Sequence, residues 1–272
     1  MSESFTDRVV VITGGGRGLG RWLAEAFAGA GASVMIGART LSYAEDAKAA
    51  IDAAGGTAEI ARCDVSSHAD CTALIAAAAQ RFGGVDIVIH CAADIPHGGL
   101  GHVSDEGLES GLASIAKAAW WLLDAARPHL AKSAQGGRFI AIGSINGTAT
   151  VVPNMTAYGM AKAALLAFVR GAAVDVVAEG ITVNAIQPGL IASDRARQVL
   201  GDEGLDAYGA TVPVGRPGMA EDFAHACMFF ASPRAGYITG ASLVMDGGSS
   251  LAPGQGGRGD ILQDRLKAQQ GH

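Results

Sequence analysis

Short apolar runs alternate with helix-patterned stretches along most of the chain. RVVVIT (8–13), SVMIGA (33–38), TAEIARC (57–63), VDIVIHC (85–91), GRFIAIGS (137–144), ITVNAIQ (181–187) and residues 241–246 read as strands. VDIVIHC is apolar without alternation, the mark of a sheet covered on both faces. Helical spacing lies between these runs, at 20–31, 41–55, 67–82, 108–131, 156–179 and 220–231. The first two of these helices close on Gly, a common helix stop. Residues 190–215 read as a polar loop. Seven strands alternating with helices predict an α/β fold: a single doubly wound Rossmann domain with a parallel sheet and right-handed crossovers.

No Ser/Pro/Gly-rich linker interrupts this pattern before residue 248, and no internal repeat is visible. One domain is expected over 1–248, including the loop 190–215, followed by an extension over 249–272. That extension starts as a Gly-rich loop and continues into DILQDRLKAQQ, a short polar helix; disorder and packing on a neighbouring subunit are both open.

Bulk composition narrows the partners. Of 272 residues, 49% are hydrophobic and 17% charged, enough for a large core. The net charge of −6, with no basic run, argues against nucleic acid or an anionic membrane as the main partner. Cys63, Cys71, Cys91 and Cys227 form no CxxC pair and no zinc-ligand spacing, so free thiols and no metal site are expected. The N-terminus enters a strand without a signal-peptide pattern, and no apolar run reaches the roughly 18 residues of a membrane span. A cytoplasmic location follows as the expectation.

The chemistry starts in TGGGRGLG (13–20), which follows the first strand and opens the first helix. Gly14, Gly18 and Gly20 permit a tight turn and close backbone approach, and the helix N-terminus offers N–H groups to a pyrophosphate. With Arg17 and Leu19, they form the predicted cofactor cradle. An acid at the end of the second strand would bind a ribose 2′-hydroxyl; this chain has Ala38 followed by Arg39. Arg17 and Arg39 favour a 2′-phosphate, so NADP (as NADPH) is expected and NAD is the second choice. Asp64, in CDV (63–65), is a candidate acceptor for the adenine amino group, with Val65 packing on the ring. In TAYGMAKAAL (156–165), Tyr158 and Lys162 lie four apart on one helix face. They are either a solvated surface pair or a device for moving protons.

The glycine loop, Ser144, Tyr158-x-x-x-Lys162, VNAIQPG (183–189) and DGG (246–248) occur in an order that closely resembles the short-chain dehydrogenase/reductase family over residues 6–248, especially its ketoacyl-reductase-like members. The resemblance implies Tyr158 as general acid or base. Lys162 favours its phenolate and also binds the nicotinamide ribose, while Ser144 orients the substrate oxygen. It further implies Pro188 and Gly189 as the turn beside the nicotinamide, Ile191 as a backbone contact to the carboxamide, and Ser193 where the family often has Thr. The family's Asn-Asn-Ala-Gly after the fourth strand is here His90-Cys91-Ala92-Ala93, with Ala92 still lining the adenosine side. His90 is expected to bond local backbone. By spacing back from RPHL (127–130), the family's fourth catalytic position, an Asn, holds Ile115 beside Ser114. Isoleucine has no polar side-chain atom, so Ser114 or backbone is left to carry a water relay from Lys162, or the proton path differs.

Ile95, Pro96, His97 and Leu100, with residues 190–215, suggest a partly apolar substrate pocket. Family interfaces on the long helix and the Tyr158 helix, and on the last strand, imply a homotetramer or a dimer. Trp120 and Trp121 are then either interface or core. The function expected is an NADP-dependent oxidoreductase moving a hydride between nicotinamide and a ketone or secondary alcohol with an apolar body. The alternatives are a catalytically weak NADP-binding scaffold or sensor, and a related lyase or epimerase.

Overall fold

The computed structural model describes residues 3–96 and 98–251. Strands β1 (Val9–Thr13), β2 (Ser33–Ala38), β3 (Thr57–Arg62), β4 (Ile87–His90), β5 (Gly137–Ile142), β6 (Ile181–Pro188) and β7 (Ser242–Met245) form one sheet in the order β3-β2-β1-β4-β5-β6-β7. Every pairing is parallel. The order reverses between β1 and β4, and such a switch point opens a crevice at the carboxyl ends of the strands. Thr13 and His90 close those two strands, directly opposite each other in register.

Alternate side chains leave each strand on opposite faces, which divides the core. Val10, Ile12, Ile87 and Ile89 pack with α1 (Gly18–Gly29), α2 (Leu41–Ala53) and α8 (Ala220–Ala231). Val11, Val88 and Phe139 pack with α3 (His68–Phe82), α5 (Ala118–Leu130) and α6 (Thr156–Val176). Covered faces of this kind explain the unbroken apolar runs. Each fully buried Ile or Phe contributes about 1.5–3 kcal/mol. Local signals agree with packing in α3. Ser67 caps its N-terminus by accepting from the Asp70 N–H, Asp70 and Arg81 suit the two ends of the helix dipole, and Gly83 ends it in a left-handed conformation.

Two expectations are corrected. Residues 190–215 are not simply a polar loop. They contain α7 (Asp194–Thr211), capped by Ser193, which accepts from the Ala196 N–H, and broken at Gly201, whose φ is 70°. Only Leu205 and Gly209 are buried along it, so no apolar stripe announces the helix. The long helix starts earlier than residue 108 and is not uniform. It runs from α4 (Asp105–Leu112), with Ser104 as N-cap, through a π turn (Ala113–Lys117) into α5. Asp246 accepts from the Gly248 and Ser250 N–H groups and so shapes the turn after β7. The expected helix DILQDRLKAQQ lies outside the described residues. Among the described residues, no helix is long and apolar enough to cross a membrane.

Candidate active site

The glycine turn joins β1 to α1 at the switch point. Gly14 has φ of 72°, and a Cβ there would stand 3.0 Å from Ala92 Cα. A Cβ on Gly20 would lie 2.2 Å from the Gly14 carbonyl oxygen. Side chains are thus excluded where the turn folds under the first helical turn. Arg17 is the N-cap of α1 and makes no side-chain capping bond, and the first turn carries no acid. The N–H groups there, and the positive end of the dipole, are left for an anion. The cradle therefore fits a dinucleotide pyrophosphate. Leu19 lies half-buried in the first turn and packs on the core.

Arg17 stands over the Tyr43 ring, 5.3 Å from its centre. Arg39 is exposed just past β2 and helps hold the Asp64 carboxyl below its usual range, although the main cause is the hydrogen bond from Ser66. Asp64 Oδ1 accepts from both Ser66 N (3.0 Å) and Ser66 Oγ (2.6 Å), so its local turn already uses that oxygen. Val65 is buried in the core beside Cys63 and Cys71.

Ser144, Tyr158 and Lys162 converge from β5 and α6. Ser144 is buried two residues beyond β5, and its Oγ accepts from Asn146 N at 3.1 Å. Tyr158 is half-buried in the first turn of α6. Burial pushes its phenol above the ordinary value, while its hydrogen bond with Ser144 and the charge of Arg195 pull the other way. Lys162 is buried one turn on, with Nζ 5.6 Å from the centre of the Tyr158 ring. That ammonium donates to the Ile142 carbonyl at 2.6 Å, and burial lowers its pKa to about 8. The surface-pair reading of Tyr158 and Lys162 is thereby excluded. A phenol, a hydroxyl and a buried cation grouped in this way can donate a proton to a substrate oxygen and steady the charge that develops.

Pro188 ends β6 and is buried, and Gly189 just beyond it donates its N–H to Met245 O at 2.9 Å. Ile191 is buried and bridges Gly218, and Ser193 is committed as the cap of α7. Ala92 donates its N–H to Thr13 Oγ1 at 3.2 Å and forms the wall over Gly14. Ala93 packs against the core edge.

His90 does bond backbone, but not locally: Nε2 meets the Ile115 carbonyl at 3.1 Å, across 25 residues of sequence. Ile115 fills the core, and Ser114 Oγ accepts from Asp94 N (3.0 Å) and donates to Gly111 O (3.4 Å). Ser114 is therefore tied both to the loop after β4 and to its own helical turn. In the expected pocket, Ile95 and Pro96 are half-buried, Leu100 is corrected to a solvent position at 89% exposure, and His97 lies outside the described residues. The two tryptophans divide. Trp121 packs on the core and stacks on His68, 5.5 Å between centres, while Trp120 is 61% exposed. Sequence reasoning missed Thr13, whose hydroxyl sits at the centre of the β1–β4 junction; its place beside the glycine turn is the signal that could have found it.

Comparison with known proteins agrees with this geometry. Residues 14–250 match the family model described as enoyl-(acyl carrier protein) reductase. The L-rhamnose 1-dehydrogenase (NAD(P)(+)) of Azotobacter vinelandii is 35% identical over 89% of this chain and 96% of its own. The 3-oxoacyl-[acyl-carrier-protein] reductase of Escherichia coli is 34% identical, over 90% and 98%. A short-chain dehydrogenase/reductase structure from Serratia marcescens superposes with a TM-score of 0.84 at 30% identity, over 91% of this chain and all of the other. A dinucleotide cradle at the switch point, a Ser–Tyr–Lys cluster beside it and these near full-length matches have one reading: the chain belongs to the short-chain dehydrogenase/reductase family.

Proposed function

We propose that the protein is an NADPH-dependent reductase of a ketone with an apolar body. The observation that carries this reading is the convergence of Ser144, Tyr158 and Lys162 at the switch-point crevice. Bound nicotinamide would supply the hydride to the carbonyl carbon. Tyr158 donates its phenolic proton to the carbonyl oxygen, and Ser144 holds that oxygen by a hydrogen bond. Lys162 favours the phenolate left behind. A buried phenol is a proton donor in the reductive direction and, as its phenolate, the acceptor in the reverse one. Arg17 and Arg39 take the 2′-phosphate, which favours NADP over NAD. Asp64, Val65 and Ala92 serve the adenosine side. Pro188, Gly189, Ile191 and Ser193 serve the nicotinamide side.

The domain proposed for this chemistry is 1–248, with 249–272 as an extension. The substrate is a small carbonyl compound, its apolar body held by Ile95, Pro96 and α7. We also infer a homotetramer, because exposed Trp120 and Val174, and Leu243 and Val244 of β7, leave apolar faces uncovered.

The test is NADPH consumption over a panel of ketones and ketoacyl thioesters, with Tyr158→Phe alongside. Turnover that falls by ~10²–10⁴ in the variant, with NADPH still bound, supports the reading. Bound NADPH without turnover on any substrate would put the scaffold reading ahead.

A further inference from the structure

His90 ends β4 and is wholly buried, yet it belongs to neither the cradle nor the Ser–Tyr–Lys cluster. Its ring lies between two backbone segments. Thr13 Oγ1 stands 2.9 Å from Nδ1 and also receives the N–H groups of Cys91 (3.1 Å) and Ala92 (3.2 Å). A hydroxyl has two lone pairs and one proton. With both lone pairs taken by N–H groups, the hydroxyl proton goes to His90, and Nδ1 is the acceptor. Nε2 then carries the ring hydrogen and donates it to the Ile115 carbonyl at 3.1 Å. A single neutral tautomer satisfies every group in the chain of bonds.

One end of that chain packs against the helix that carries Lys162, and the other lies within electrostatic reach of its ammonium. Ile115 belongs to the π turn, an irregularity that tends to mark functional positions in helices. Ile115 and Ala118 share a core cluster with Ala161 and Leu165, which flank Lys162 on α6. At the other end, Thr13 fixes the backbone of Cys91, whose thiol lies in the electrostatic reach of the Lys162 ammonium.

We propose that His90 is a positioning residue for Lys162: its ring ties the turn after β4 to the π turn at Ile115, which packs on α6, and so fixes the seat of the helix that carries Lys162. The proposal rests on the reading of Tyr158 and Lys162 as a proton-transfer pair. Only the neutral ring works in this place. An imidazolium could not accept from Thr13 and would set a second positive charge toward Lys162.

The experiment compares wild type with His90→Leu and His90→Asn. Leucine fills much of the ring's space with neither bond; asparagine can both donate and accept. Hydrogen exchange is followed in the free protein, and kcat and KM are measured on the best ketone. In His90→Leu, exchange should rise about tenfold in residues 88–95 and 112–120 and stay unchanged in β2 and α8, a local loss on the order of one hydrogen bond. The kcat should fall about tenfold with little change in KM, and His90→Asn should recover part of both effects. A folded His90→Leu protein with a protected π turn and wild-type kcat overturns the proposal. So does faster exchange spread evenly over the molecule, which is general destabilisation. A wild type without turnover would sink the reductase reading instead, and the exchange pattern would then decide the clamp. Should His90→Leu not fold, nitrogen NMR of labelled histidine in wild type decides. A bare Nδ1 and a protonated Nε2 are expected, and the opposite tautomer overturns the proposal.

Discussion

Lys162 donates to the carbonyl of Ile142 at 2.6 Å from a side chain only 3% exposed. Burial of the ammonium lowers its pKa from 10.5 to about 8. At pH 7 the group is charged in both the folded and unfolded chain, so the full penalty applies, roughly 3 kcal/mol. The penalty fades as pH rises from about 8 toward 10.5, where the unfolded chain still holds the proton and the folded one has lost it. Lys162→Met should therefore be more stable than wild type by ~1–3 kcal/mol at pH 7 and by less at pH 10, with turnover abolished. Urea unfolding at the two pH values measures it. A variant less stable at pH 7 would mean that the bond to Ile142 outweighs the burial of charge.

His90 titrates with the opposite consequence at acid pH. Burial, and then the charge of Lys162, bring its pKa down from 6.5 to about 4. Between those values the unfolded chain binds the proton and the folded one does not. Stability from this group is thus unaffected above pH 6.5 and is lost as pH falls toward 4, by up to roughly 3 kcal/mol. The groups that act on the ring are the charge of Lys162, the Thr13 hydroxyl and the Ile115 carbonyl. Asp222, held at about 2 mainly by Arg216, loses its contribution only below its ordinary 3.8, so the two windows do not overlap. In His90→Asn the slope of stability between pH 6.5 and 4 should flatten. An unchanged slope would assign the acid sensitivity to other groups.

The sequence revealed the site wherever the chemistry follows from local spacing. Tyr158 and Lys162 are one helical turn apart, and the glycine turn sits between a strand and a helix, so both could be read from neighbours in the chain. The sheet was legible because β1, β4 and β5 are buried on both faces and must be apolar throughout. α7 was not, because two buried residues in eighteen make no stripe. Ser193 and Asp194 did carry a helix-start signal, which the sparse apolar pattern hid. The π turn left no trace either: the ring that holds Ile115 comes from β4, and no rule of spacing connects positions 90 and 115.

Gly14 tests the cradle. Alanine there meets two obstacles, a φ of 72° and Ala92 Cα at 3.0 Å from the new Cβ. Gly14→Ala should cost ~1–2 kcal/mol, a fall of about 2–8 °C in Tm, and weaken NADPH binding by at least about tenfold. Calorimetry and fluorescence titration read the two effects. Unchanged NADPH affinity in a destabilised variant would move the phosphates away from this turn.

Trp120 tests the assembly. It stands 61% exposed on α5, with Phe168 of α6 6.2 Å away between ring centres. If that face is covered by a second copy of the chain, Trp120→Glu buries an unpaired carboxylate in the interface and separates the subunits. Sedimentation should show the wild type as a tetramer and the variant as a smaller species. The same mass for both would remove the α5 face from the assembly.

In the proposed function, cofactor choice turns on Arg39 and Arg17. A charge-assisted hydrogen bond to a phosphate contributes about 1.5–3 kcal/mol, or roughly 10–100-fold in affinity. Arg39→Asp removes that donor and supplies a carboxylate suited to a ribose 2′-hydroxyl. The variant should lose NADPH affinity by roughly 10–100-fold while gaining for NADH. Arg17→Ala should lose less, because Arg17 also stacks on Tyr43, an interaction that competes with the ligand for the guanidinium. Paired titrations with NADPH and NADH on each variant give the ratio. An unchanged ratio in Arg39→Asp would leave Arg17 as the residue that reads the 2′-phosphate, and an unchanged ratio in both would mean that the adenosine ribose lies beyond reach of either guanidinium.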